Sequence, residues 1–218
     1  MPTEPTVFLV DDDPEMVKGI ARTVASAGWP VQTYLSGEAF LHAYDPTQAG
    51  CVVLDMRMPR VSGLRVQETL RARQAHIPVI FITAYGEVAA AVRAMKAGAM
   101  DFLEKPFSEQ MLLACIEHAM AYDAQRRQEQ AWRTTCTARL ARLTRREREV
   151  LDLVLAGQLN KEIALRLAIS QRTVELHRSR IMQKLQAESA VDLARQVFWA
   201  QGTSKYVETE IALRIFHD

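Results

Sequence analysis

The chain is predicted to combine a doubly wound α/β domain, built on a five-stranded parallel sheet, with a helical linker and an all-α helix-turn-helix domain. Three observations predict this. Short apolar runs alternate with amphipathic stretches as far as Ala121, the pattern of strands and covering helices. No Gly or Pro occurs from Phe107 to Ala156, so a helix meets no breaker there. Beyond Leu143, short apolar-faced segments are separated by capping residues and tight connections.

Taken in order, Thr6–Val10 (T-V-F-L-V) reads as a buried strand ended by Asp11-Asp12-Asp13-Pro14. Pro14 suits the first turn of a helix, and neighbouring acids favour its dipole. That helix is expected to reach Ala27, with Met16, Ile20, Val24 and Ala27 inward and Gly28 as its stop. Val31–Tyr34 is a second strand, and Ser36 caps a helix to Ala43. The stretch V-V-L-D-M-R-M-P-R-V-S-G, Val52 to Gly63, is pivotal: a third strand over 51–55 delivers Asp55 to the sheet edge, and Pro59 and Gly63 shape the loop after it. A helix follows from Leu64 to about Ala72. Val79–Thr83 is the fourth strand, Glu87–Ala97 a helix closed by Gly98, and Ala99–Glu104 the fifth strand. Ser108 caps a helix containing Met111, Leu112, Ile116 and Met120 and ending near Ala121. Residues 123–142 are too polar for a core and read as a solvated linker helix, either separate from or continuous with the fifth helix, with Trp132 and Leu140 as anchors.

In the remainder, Thr144-Arg145-Arg146-Glu147 has capping-box spacing and opens a helix through Ala156, stopped by Gly157. Asn160 is expected to cap Lys161–Leu167, and Ser170 a third helix to about Leu185 with Val174, Ile181 and Leu185 inward. Ser189 with Asp192 marks a fourth to Ala200. The tail 203–218 is amphipathic in places and has no assigned role.

Hydrophobic content of 49% and charged content of 24% describe an ordinary soluble protein. No apolar run approaches the ~20 residues of a membrane helix, and the first residues lack a secretion signal's apolar core. Cys51, Cys115 and Cys136 have no metal or redox spacing. Reduced thiols in a cytoplasm are therefore expected, with no membrane partner. The net charge of +1 hides an asymmetry: residues 1–120 carry 10 Lys/Arg and 14 Asp/Glu, residues 121–218 carry 17 and 12. An acidic front suits metal or phosphate chemistry, a basic back a polyanion.

In a doubly wound sheet, Asp11, Asp12, Asp55, Thr83 and Lys105 all fall at one edge, where ligands of such sheets bind. Three carboxylates with water suit Mg²⁺. A lysine and a threonine hydroxyl suit phosphoryl oxygens. Asp13 reads as a turn residue. These residues carry a resemblance. V-D-D-D-P, L-D-M-R-M-P-x-x-S-G, F-I-T-A and F-L-E-K-P-F look like the receiver domain of two-component response regulators, of CheY/flavodoxin-like fold, across residues 5–121. The resemblance implies that Asp55 is the phospho-acceptor from a sensor histidine kinase. It implies Mg²⁺ held by Asp12, Asp55 and the Arg57 carbonyl, with Asp11 acting mainly through water. Lys105 would clamp the phosphoryl group, presented by a cis bond to Pro106. Thr83 would move toward that group, and Phe102 would turn inward behind it; the alternative for Phe102 is plain core packing. Ala84 is small enough for the group's close approach. Arg57 and Tyr85, two residues beyond Asp55 and Thr83, are large enough to obstruct an attacking water, so self-dephosphorylation is expected to be slow. Such a receiver promotes its own phosphorylation and is otherwise no enzyme.

T-R-R-E-R-E-V-L, A-G-x-x-N-K-E-I-A, I-S-x-R-T-V-E-L-H-R and I-M-Q-K-L resemble the LuxR-type helix-turn-helix over about Leu143 to Ala200. The whole chain then looks like the FixJ branch of response regulators, with the receiver over 1–121, a linker over 122–142, the DNA-binding domain over 143–202 and a tail over 203–218. The resemblance implies that Thr173, Glu175, Leu176 and Ser179 face the major groove of promoter DNA. Glu175 would accept from a cytosine amino group, and Leu176 would touch a thymine methyl. Lys161, Arg172, Arg178, Arg180 and Lys184 are expected at phosphates. It further implies homodimer formation on phosphorylation through the face of the fourth helix, fifth strand and fifth helix, and RNA polymerase as a further partner. Transcriptional activation is the commoner behaviour of the family. Two other readings fit the sequence less well. An aspartyl phosphatase would want an acid two residues after the nucleophile, and position 57 is arginine. A constitutive DNA-binding regulator with an inert receiver is disfavoured by the intact acidic pair, Thr83 and Lys105.

Overall fold

The computed structural model describes residues 4–83 and 88–202, without the side chains of 88–91. The readings made at Ala84, Tyr85 and Glu87, and for the tail 203–218, lie outside the described residues. The chain divides into two compact units, one reaching Arg127 and one beginning at Gln128.

The first unit contains β1 (Thr6–Val10), α1 (Pro14–Ser26), β2 (Val31–Tyr34), α2 (Gly37–Ala43), β3 (Gly50–Asp55), α3 (Gly63–Ala72), β4 (Val79–Thr83), α4 (Val88–Lys96) and β5 (Asp101–Glu104). The strands form one parallel sheet in the order β2-β1-β3-β4-β5. Strands β1, β3 and β4 are buried throughout, as a sheet covered on both faces demands. Alternation divides their side chains. Phe8, Val10, Val52, Leu54 and Phe81 join Phe40 of α2 and Val66 and Leu70 of α3 in one core. Val7, Leu9, Val53, Ile80 and Ile82 join Val17, Ile20 and Val24 of α1 in the other, with Leu112 and Ile116.

The last two belong to α5 (Glu109–Ala141), a helix of 33 residues. The fifth helix and the linker helix are thus one, running past Ala121 because no breaker interrupts them. The expectation that its polar stretch is solvated fails at two positions: Asp123 is 1% exposed and Cys136 is fully buried. Asp123 follows Ile116, Ala119 and Met120 on the inward stripe. There it accepts the Gly50 N–H at 3.0 Å and pairs with Arg126 (2.8 Å) and Arg127 (2.6 Å). Arg127 also donates to the carbonyls of Thr47 and Gln48. Met111 is 55% exposed. In α1 the inward stripe is Val17, Ile20 and Val24, while Ala27 is exposed as the C-cap. Asp13 is that helix's N-cap, accepting the Glu15 N–H at 2.9 Å.

The second unit contains α6 (Arg145–Leu155), α7 (Asn160–Leu167), α8 (Gln171–Leu185) and α9 (Ala190–Gln201) around Val150, Leu151, Ile163, Val174, Ile181, Leu185, Leu193 and Val197. The capping box at Thr144 forms as spaced. Ser170 and Ser189 cap α8 and α9. Asn160 is not a cap. Leu159 holds that position, Glu162 accepts the Leu159 N–H at 3.0 Å, and Asn160 Oδ1 instead accepts from Arg178 at 2.9 Å. Leu140 packs against this core, and Arg139 lies 5.7 Å from the centroid of Trp132.

Candidate functional site

Strands β1 and β3 are neighbours, with the chain crossing to β2 on one side and to β4 on the other. Their carboxyl ends therefore flank the topological switch point, where the crevice of a doubly wound sheet opens. Asp11 follows β1 and Asp55 ends β3. Both are nearly buried, at 2% and 7% exposure, whereas Asp12 is exposed.

Lys105 brings the two carboxylates together. Its Nζ donates to Asp55 Oδ1 at 2.7 Å and to Asp11 Oδ2 at 3.3 Å. It is delivered by the turn after β5, where its N–H bonds the Thr83 carbonyl at 2.8 Å and its peptide bond to Pro106 is cis. The other oxygen of Asp55 accepts the Arg57 N–H at 2.7 Å, and Asp11 Oδ1 accepts the Asp13 N–H at 2.9 Å. Both carboxylates are thus aimed by backbone as well as by charge. Burial raises the pKa of Asp11, the Asp13 N–H offsets this, and the charge of Asp55 raises it further against Lys105. Burial works to lower the pKa of Lys105, but the hydrogen bond and charge of Asp55, with Asp11 behind them, raise it overall. The lysine therefore remains a cation beside the carboxylate.

Gly63 lets the loop close over Asp55. A Cβ there would stand 2.3 Å from the Asp55 carbonyl oxygen and 2.9 Å from the Phe81 ring, while the Gly63 N–H bonds the Met56 carbonyl at 3.1 Å. Thr83, at the end of β4, is 3% exposed and stands one residue beyond Ile82, the partner of Asp55 across the sheet. Phe102 is 42% exposed, which removes the core-packing alternative for it.

Among the described residues, no three His, Cys, Asp or Glu side chains are grouped to hold a metal by themselves. Asp11 and Asp55 are nevertheless hard oxygen donors on one crevice. Mg²⁺ is usually held by one or two carboxylates with water completing its shell, so this donor set fits it.

In the second unit, α8 is two-faced. Val174, Ile181 and Leu185 are buried, while Arg172, Glu175, Leu176, Ser179 and Arg180 are exposed and Thr173 is half-buried. Leu176 is 49% exposed. Lys161 is exposed on α7. Two of the cations expected at phosphates are engaged within the unit. Arg178 ties α8 to Asn160, and Lys184 donates to Glu147 Oε2 at 2.6 Å. Glu147, 3% exposed, also accepts from the Thr144 N–H (2.7 Å) and hydroxyl (2.9 Å). Burial would raise its pKa, but Lys184 and Thr144 outweigh burial and hold the carboxyl down at about 2. The capping box was legible in the sequence; the lysine 37 residues away was not.

Among the described residues, no helix is long and apolar enough to cross a membrane.

Residues 7–117 match the model of the response regulator receiver domain, and residues 141–197 that of the luxR family of bacterial regulatory proteins. The transcriptional regulatory protein FixJ of Azorhizobium caulinodans is 40% identical over 200 residues, covering 92% of this chain and 95% of its own. The response regulator protein TodT of Pseudomonas putida is 40% identical over 189 residues, covering 87% and 83%. Among solved structures, the response regulator StyR superposes with a TM-score of 0.82 at 46% identity, covering 89% of this chain and 98% of that one. Full-length FixJ from B. japonicum does so with 0.58 at 38% identity, covering 93% and 100%. With the acid pair, the lysine and the two-faced α8 in place, the chain belongs to the response regulators that join a receiver domain to a LuxR-type DNA-binding domain, the transcriptional regulators of two-component systems.

Proposed function

We propose that Asp55 accepts a phosphoryl group from a sensor histidine kinase and that this switches a promoter-binding transcriptional activator. The observation that carries this reading is the 2.7 Å hydrogen bond from Lys105 to Asp55 at the switch point of the sheet. It sets a cation where charge develops on a group transferred to the Asp55 carboxylate. The Asp55 oxygen is the nucleophile, the phosphorus–nitrogen bond of the donor breaks, and the imidazole leaves with the pair. Lys105 offsets charge on the transferred oxygens. Asp12, Asp55 and the Arg57 carbonyl would hold Mg²⁺, with Asp11 acting through water; when bound, the ion supplies further positive charge to those oxygens. Thr83 and Phe102 are the switch residues, and the protein has no enzymatic role beyond turning over its own acyl phosphate. Arg57, with Tyr85, slows that turnover by obstructing water.

Phosphorylation favours a homodimer through α4, β5 and α5, presenting two α8 helices to two-fold promoter DNA, with RNA polymerase as a further partner in the cytoplasm. Thr173, Glu175, Leu176 and Ser179 read bases; Lys161, Arg172 and Arg180 hold phosphates. Lys184 and Arg178 hold the fold of the domain, as their bonds to Glu147 and Asn160 support. The working division is a receiver over 1–121, a linker over 122–142, the DNA-binding domain over 143–202 and a tail over 203–218. The test is intact mass after incubation with Mg²⁺ and a small phosphodonor. Wild type should gain one phosphoryl group and Asp55→Asn none; equal gain in both would sink the assignment. A wild type that gains none from the small donor or from a purified kinase would mean an inert receiver.

A further inference from the structure

Far from Asp55, the first unit has a cleft of about 520 Å³ at the other end of the sheet. It lies where α3 and α4 end and where β4 begins, so the length of β4 separates it from Thr83, roughly 13 Å. Its chemistry is unlike that of the rest of the unit. Arg71, His76, Lys96 and Arg126 line it, and no acidic side chain does, although residues 1–120 carry more acids than bases. Its floor is apolar, with Ile77, Val79 and Met100, and the ring of Tyr122, 52% exposed, stands at its side.

Arg71 and Lys96 fall in the last turns of α3 and α4, where cations meet the negative end of a helix dipole. That explains two of the cations and leaves two polar atoms unexplained. Gln67 lines the cleft at 5% exposure; its amide nitrogen donates to the Ala94 carbonyl at 3.4 Å, but its Oε1 has no hydrogen-bond partner. Arg126 gives one nitrogen to Asp123, and its Nε is buried without a partner. Both atoms belong to side chains that line the cleft.

We propose that this cleft binds a small amphiphilic anion: a carboxylate or similar head among Lys96, Arg71 and Arg126, and an apolar ring against Ile77, Met100 and Tyr122. The receiver then has a second input, chemically separate from Asp55. Apolar floor with a few convergent polar groups is the usual make-up of a small-molecule site.

The probe is 4-hydroxybenzoate, titrated calorimetrically into the full-length chain, with phenol and inorganic phosphate as partial probes. The expected result is saturable one-to-one binding of 4-hydroxybenzoate. Phenol and phosphate should each bind at least tenfold more weakly. Lys96→Gln, at an exposed side chain that the fold does not need, should weaken binding at least tenfold, as should Arg71→Gln. No saturable binding at millimolar 4-hydroxybenzoate would overturn the proposal. So would phosphate binding as well as the aromatic acid, or Lys96→Gln and Arg71→Gln both binding as wild type does. A bound anion that survives both variants sits elsewhere, for instance on the basic second unit.

Discussion

Lys105 and Asp55 are 50 residues apart in the chain and 2.7 Å apart in the fold. With Asp11 at 3.3 Å from the same nitrogen, one ammonium bridges two carboxylates and offsets part of their repulsion. Replacing Lys105 by Met should therefore leave a folded sheet but slow phosphorylation by about 10²-fold, the scale of losing one preorganised electrostatic group. Rates of acyl-phosphate formation from a small phosphodonor, followed by intact mass, check this; an unchanged rate would remove Lys105 from the chemistry.

Gly63 is argued from space. Its absent Cβ would sit 2.3 Å from the Asp55 carbonyl oxygen, closer than any real contact, and the obstruction is backbone. Gly63→Ala is expected to destabilise the receiver by about 2 kcal/mol, read from urea unfolding of its tyrosine and far-UV signals. It should also slow phosphorylation at Asp55, because the loop retreats from the residue it closes over. Unchanged stability and rate would show that the loop relaxes freely.

For Glu147 the prediction is one of pH. Its folded pKa, about 2, lies below the roughly 4.3 of a free glutamate. A carboxyl lowered on folding contributes stability that is fully present above its unfolded pKa and is lost as pH falls toward the folded one. Between about pH 4.5 and pH 2 the helical unit should lose about 2 kcal/mol from this group, a figure discounted for the partly exposed Lys184. Glu147→Gln should lose a similar amount already at pH 7 and titrate less steeply below pH 4.5. Thermal melts of both proteins across that range decide it.

On α8 the exposed residues should separate by kind. Arg172→Ala should weaken binding to all promoter sequences about equally and reduce the salt slope of binding by about one. Leu176→Ala and Glu175→Gln should change affinity for one base pair, by about 1–3 kcal/mol of discrimination, with little change in the slope. Fluorescence anisotropy over a set of single-base operator variants at two salt concentrations distinguishes the two. Lys184→Ala should act differently again, lowering stability before it touches DNA affinity.

Asp123 is the buried acid that composition concealed. It is 1% exposed and holds Gly50, Arg126 and Arg127. Asp123→Ala should destabilise the receiver by about 2 kcal/mol, the usual consequence of leaving the buried Gly50 N–H without its acceptor and two partly exposed guanidiniums without their carboxylate. A loss under about 0.5 kcal/mol in urea unfolding would show that water replaces the carboxylate.

The sequence by itself determined the order of strands and helices, the caps at Ser36, Thr144, Ser170 and Ser189, and the set of residues at the crevice. Each of these is a local property: alternation at period two or 3.6, a side chain that can accept a nearby N–H, a carboxylate at the end of an apolar run. Tertiary structure alone decided the rest. A polar stretch reads as solvated until the fold reveals that Asp123 meets a backbone N–H 73 residues away. Lys184, expected at a phosphate, also meets Glu147, a partner no local pattern names. Asn160 reads as a cap until it meets Arg178, a residue expected at a phosphate. A charged side chain's partner depends on which distant elements pack beside it. Local periodicity records where a side chain points and carries no record of what it will meet there.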